Sequence, residues 1–137
     1  MKTEDNHAVK EVISGPPGPG LPFSTVIAYG DLVFVSGLVG RNPVTRQIAV
    51  GDVRAQTAQV LANMQAQLEQ AGSSLDRVLK ATVFLTDMRL FGRMNEAYVT
   101  AFGAEPPARS CVAVTALPDE QALVEIEVIA ARNWSAQ

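Results

Sequence analysis

The chain has 137 residues, 47% of them hydrophobic and 18% charged, with a net charge of −3. That length and balance describe one globular domain over 1–137 that buries a real core, and they exclude a disordered chain. The acidic surplus argues against a protein whose main task is gripping phosphate backbone, so nucleic acid is not an expected partner.

In chain order, residues 1–8 form a polar leader that is expected to be flexible and lacks the apolar run of a signal peptide. Val9 to Ser14 reads as a short first strand. "GPPGPG" at Gly15–Gly20 is a rigid loop whose prolines remove the donors a phosphate loop would need. Thr25–Tyr29 and Leu32–Ser36 are strand-like runs, and the Gly30-Asp31 pair between them is a hairpin signal. "RNPVTRQ" from Arg41 is an exposed turn. Apolar residues at Val53, Val60, Leu61, Met64 and Leu68, with Thr57 in the same stripe, predict a helix over 52–71, capped by Asp52 and stopped at Gly72.

"RVLKATVFLTD" from Arg77 is a strand, with Leu79, Ala81, Val83 and Leu85 on one face and Lys80, Thr82, Phe84 and Thr86 on the other. Asp87 caps a second helix whose stripe is Leu90, Phe91, Met94, Tyr98 and Phe102, ending at Gly103. Strands at Arg109–Thr115 and Leu123–Ala131 close the chain. The layout is α+β, a mixed sheet with two helices on one face. Two helices cover one face only, and no apolar stretch is long enough to span a bilayer. The uncovered apolar face therefore predicts a closed homo-oligomer with sheets packed inward.

The chemistry available is narrow. One cysteine, Cys111, and one histidine, His7, allow neither an intrachain disulfide nor a zinc site of the usual kind. A reducing, cytoplasmic setting fits the lone thiol. Alternation puts Arg109 and Cys111 on one face of their strand, and Glu125 and Glu127 on one face of the next. A short connection suggests that these strands pair antiparallel, so that Arg109 and a glutamate share a space. Charges in a mostly apolar sheet are costly unless paired or used, and from alternation alone a plain salt bridge is the stronger reading. Cys111 alone reads as a small buried hydrophobe.

Five segments carry a resemblance to a known family: "GDLVFVSG" at Gly30–Gly37, "VFLTDM" at Val83–Met88, "MNEAY" at Met94–Tyr98, "PPARSCVAV" at Pro106–Val114 and "VEIEVIA" at Val124–Ala130. Taken in order and at these spacings, the chain from about Pro22 onward resembles the RidA/YjgF family of imine deaminases. The resemblance implies a chorismate-mutase-like trimeric barrel with active sites in clefts between subunits. It implies hydrolysis of 2-imino acids, products of pyridoxal-phosphate enzymes, to 2-oxo acids and ammonia, with no metal and no organic cofactor. Arg109 would bind the substrate carboxylate, and Glu125 would position the attacking water. Ser36, Gly37 and Cys111 would line the pocket, and Asn95 would enter from a neighbouring subunit. Phe23 stands where many members have tyrosine, and Leu38 where many have glutamine. Both changes suggest a less polar pocket and larger, more apolar substrates. An endoribonuclease or translation inhibitor, and a non-catalytic 2-oxo acid binder or holdase, are the competing readings.

Overall fold

A computed structural model describes residues 8–133; His7 and the rest of the leader before Ala8 lie outside the described residues. Six strands form one sheet: β1 (Lys10–Ser14), β2 (Val26–Tyr29), β3 (Leu32–Val39), β4 (Val78–Leu85), β5 (Ala108–Ala113) and β6 (Val124–Ala131). Their spatial order is β1-β2-β3-β6-β4-β5. Two helices, α1 (Val53–Gln70) and α2 (Phe91–Tyr98), complete the α+β architecture.

Local signals explain most of the boundaries. β2 and β3 join through a two-residue turn in which Gly30 takes φ 60°. Asp52 accepts a hydrogen bond from the Arg54 amide at 2.9 Å and caps α1. Asp87 does the same for Arg89 at 2.9 Å, but it opens a short 3-10 turn (Met88–Leu90) that leads into α2. A second 3-10 turn, Val99–Ala101, carries the chain from α2 toward Phe102, so the long second helix expected from the stripe is broken into three pieces.

The core lies between the helices and one face of the sheet. Val60, Met64 and Leu68 of α1 and Met94 of α2 are fully buried, as are Val33 of β3, Val83 and Leu85 of β4, and Val124 and Ile126 of β6. The β4 alternation departs from expectation at its start. A bulge between Val78 and Lys80 buries Val78 and turns Leu79 outward, leaving it 50% exposed. The opposite face carries Ile27, Phe34 and Ile129 together with Lys80, Thr82, Glu125 and Glu127, and no helix among the described residues covers it.

The expected hairpin between the last two strands does not form. β4 lies between them, antiparallel to β6 and parallel to β5. The connection straddles the end of β4: the Val114 amide donates to the Leu85 carbonyl at 2.8 Å, and the Thr86 amide donates to the Leu123 carbonyl at 3.1 Å. A β-α-β crossover through α2 delivers β5 to the outer edge, where among the described residues its strand partner is β4 alone.

Buried Gln56 of α1 holds that connection in place. Its amide nitrogen donates to the Gln121 carbonyl at 3.1 Å, and its oxygen accepts from the Leu123 amide at 2.8 Å. Replacing it with leucine leaves the part-buried Gln121 carbonyl and Leu123 amide without that partner. Gln56→Leu is expected to cost about 1–3 kcal/mol in urea unfolding at fixed protein concentration.

Candidate functional site

The sequence-derived site residues fall into two groups on opposite faces of the sheet. The first surrounds Arg109 on the helix face. Arg109 pairs in register with buried Ala81 of β4, so its side chain points toward α2. One guanidinium nitrogen donates to Asn95 Oδ1 at 2.7 Å. The guanidinium carbon lies 4.7 Å from the centre of the Tyr98 ring and 5.5 Å from that of Phe91. No carboxylate among the described residues forms an ion pair with Arg109. Cys111 sits two residues along on the same face, half-buried. Burial pushes its thiol up, against the opposing pull of the Arg109 charge, so it stays a thiol at neutral pH. Asn95 thus meets Arg109 within one chain, whereas the sequence reading had placed it across a subunit boundary.

The second group surrounds Glu125 on the open face. Glu125 pairs with Phe84 of β4 and Val39 of β3. Its carboxyl packs against Gly37. A methyl group at position 37 would come within 2.8 Å of the Glu125 carboxyl carbon and 2.9 Å of its Cγ. A side chain at position 37 would therefore displace the Glu125 carboxyl from this seat. Ser36 does not end the strand, as its Ser-Gly pair suggested. β3 continues to Val39 through a bulge between Val35 and Leu38. The Ser36 hydroxyl donates to the Ser24 carbonyl at 2.7 Å and ties down the loop that presents Phe23, which is 47% exposed. The bulge sends Leu38 to the helix side, paired with buried Ile126 and packed on the core. Leu38 therefore contributes nothing apolar to the Glu125 side, contrary to the sequence reading.

Glu127 shares the open face and lines a groove of about 300 Å³ with Ser24, Ile27, Phe34, Ser36, Lys80 and Thr82. Both glutamates thus face the same way, and Glu125 is the one seated on Gly37. Tyr98 and Phe91 are the residues near Arg109 that sequence reasoning missed, because at helical spacing they read as core stripe. Among the described residues no three His, Cys, Asp or Glu side chains gather closely enough to hold a metal ion.

Residues 15–132 match the family described as Endoribonuclease L-PSP. A RutC family protein of Pyrococcus horikoshii is 46% identical over 124 residues, covering 89% of this chain and 98% of that protein. This chain belongs to the RidA/YjgF family. A solved Yersinia pestis structure, titled as a conserved Rid family protein of unknown function, superposes with a TM-score of 0.82 at 40% identity, covering 90% of this chain and 99% of that one. An Arabidopsis thaliana relative named Reactive Intermediate Deaminase A, chloroplastic, is 42% identical over 123 residues, 88% of this chain and 65% of that protein. The Rid family match includes every residue of both groups, Arg109 and Glu125 among them.

Burial, and secondly the neighbouring Glu127 charge, push the Glu125 carboxyl above the ordinary carboxylate range. A raised folded-state pKa favours folding fully below the unfolded pKa of about 4.3, and that contribution is lost as pH rises through the folded value. Glu125→Gln carries no charge to desolvate. It is expected to gain on wild type in melting temperature as pH rises from about 4 to neutrality, and to match it at lower pH. Thermal scans across pH at one protein concentration measure the difference.

Proposed function

We propose that the protein hydrolyses 2-imino acids to 2-oxo acids and ammonia, in a site that one chain supplies with Arg109 and a second copy supplies with Glu125. The observation that carries this reading is the placement of these two charges on opposite faces of one sheet. Neither pairs with the other in its own chain, and a cleft between copies would bring them together. The open face, with its apolar residues and no helix over it, supports association into a closed homotrimer. The Arabidopsis relative's name supports the reaction class.

The chemistry follows from the residue types. A planar guanidinium holds a carboxylate through two parallel hydrogen bonds and stays charged when partly buried. Asn95 engages one edge of Arg109 and leaves donors for the substrate. With the carboxylate held there, the imine carbon lies within reach of a water that Glu125 positions. Glu125 takes a proton from that water as the water oxygen bonds to the imine carbon, and returns it to the nitrogen, which has taken the C=N electron pair, to give a carbinolamine. The hydroxyl proton of that intermediate then passes through Glu125 to the amino group as the carbon–nitrogen bond breaks, the carbonyl forms and ammonia leaves. Cys111 serves as a pocket wall, since its thiol is not ionised. Phe23 offers an apolar surface near Ser36, which favours apolar substrate tails. Such imines arise from pyridoxal-phosphate enzymes, which makes those enzymes the functional partners. The endoribonuclease reading is weaker, because a chain with net charge −3 is poorly suited to gripping a polyanion.

The two-copy site has a direct test. Arg109→Ala and Glu125→Ala are each expected to lose most imine hydrolysis, the former through about a tenfold to hundredfold weaker capture of the carboxylate. Denatured together at equal amounts and refolded, they should recover about a quarter of wild-type activity, since a random mixture pairs an intact arginine with an intact glutamate that often. No recovery from refolded, correctly assembled mixtures would place both groups in one chain's site.

Activity requires Glu125 ionised, so its acid limb should lie above the ordinary carboxylate range. Glu127→Gln removes the second cause of the upward shift and is expected to move that limb to lower pH, read from kcat/KM against pH.

A further inference from the structure

We propose that Tyr98 is a positioning residue for Arg109, holding the guanidinium by its ring face while leaving the positive charge for the substrate carboxylate. This rests on the reading of Arg109 as carboxylate receptor. Tyr98 is 6% exposed, and its hydroxyl oxygen is buried without a hydrogen-bond partner. The hydroxyl lies near enough to Arg109 for the cation to ease the loss of its proton, but in no hydrogen-bond geometry that would hold the guanidinium. What the residue gives Arg109 is the ring, 4.7 Å from the guanidinium carbon and well inside cation–π distance.

The chemical point is neutrality. A buried arginine is usually held by a carboxylate, which fixes its geometry and also cancels its charge. The side chains that meet Arg109 through a hydrogen bond, a ring face or its field are uncharged: the Asn95 amide, the Phe91 and Tyr98 rings and the Cys111 thiol; among the described residues no carboxylate pairs with it. Burial keeps the Tyr98 phenol protonated, in spite of the nearby cation. Glu96, the carboxylate next to Asn95 on α2, is engaged with Arg54 at 3.0 Å. The rings therefore orient the cation without competing for the anion it is to receive. Their contact with the cation is through their own ring faces and takes up none of its N–H donors, which bidentate carboxylate recognition needs. Tyr98 supplies the buried support, and Phe91, 40% exposed, supplies the outer one.

The test compares full-length Tyr98→Phe, Tyr98→Leu and Phe91→Leu with wild type and with Arg109→Ala. Binding of 2-oxobutanoate and of its uncharged amide is measured by calorimetry, and KM and kcat are measured for the imine. The Arg109 Nε–H resonance is followed by NMR, because a ring face shifts nuclei above it upfield. Tyr98→Phe should bind the carboxylate as wild type does, with an unchanged Arg109 resonance. Tyr98→Leu, folded and assembled as wild type, should bind it about tenfold more weakly, with KM raised, kcat little changed and the resonance moved downfield. Affinity for the amide should stay the same. Should Tyr98→Leu not fold, Phe91→Leu on the exposed side carries the same expectation at a smaller factor.

Two results overturn the proposal: unchanged carboxylate affinity and Arg109 resonance in the leucine variants, or a loss in Tyr98→Phe equal to that in Tyr98→Leu, which would make the hydroxyl the active group. If Arg109→Ala binds 2-oxobutanoate as wild type does, the receptor reading fails by itself. The Arg109 resonance then still reports whether Tyr98 positions the guanidinium.

Discussion

Strand β4 lies between β5 and β6, and the arrangement of charge in this protein follows from that insertion. Side chains alternate across a sheet with period two. Once β5 runs parallel to β4 with Arg109 opposite Ala81, Arg109 must face the helices. Once β6 runs antiparallel to β4 with Glu125 opposite Phe84, Glu125 must face away from them. No rotamer change brings the two together through a layer of packed backbone. A chain folded this way is left with an unpaired cation on one side and a desolvated carboxylate on the other, each a cost until something meets it.

The fold handles the two costs differently. Arg109 is stabilised by neutral groups that leave its charge available. Glu125 receives no such help: its carboxyl sits against Gly37 beside an apolar sheet face, with Glu127 as a like-charged neighbour, and its affinity for a proton rises. The asymmetry suits the roles proposed for them, a cation that stays charged to hold an anion and a carboxylate that picks up and returns a proton. The bulge after Val35 serves the carboxylate side. It carries β3 past Ser36 and Gly37, turns Leu38 into the core, and leaves the glycine where the Glu125 carboxyl can rest.

Local signals were legible where local physics decides. The Gly30 turn, the Asp52 cap and the α1 stripe need only near neighbours in the chain, and their positions agree with the structure to within a residue or so. Leu79 was misassigned because a bulge shifts the alternation by one, and nothing in the spacing of apolar residues announces it. The second helix broke into 3-10 and α segments because its stripe reports which residues are buried, not which hydrogen bonds close. The pairing of the last two strands was missed for a different reason. A short connection favours a hairpin only when no other strand fits between its arms, and β4 comes from much earlier in the chain.

By itself the amino-acid sequence determined the α+β class, the helix and strand inventory, the uncovered apolar face and, through its matching segments, the Rid family with Arg109 and Glu125 as the groups of interest. The tertiary structure alone decided which face each of them occupies, that Asn95 joins Arg109 in its own chain, that Leu38 belongs to the core, and that Tyr98 lies beneath the guanidinium. Periodicity assigns residues to one side or the other of their own element. Only the order and direction of the strands relate those sides to one another, and that order is set by contacts far apart in the chain.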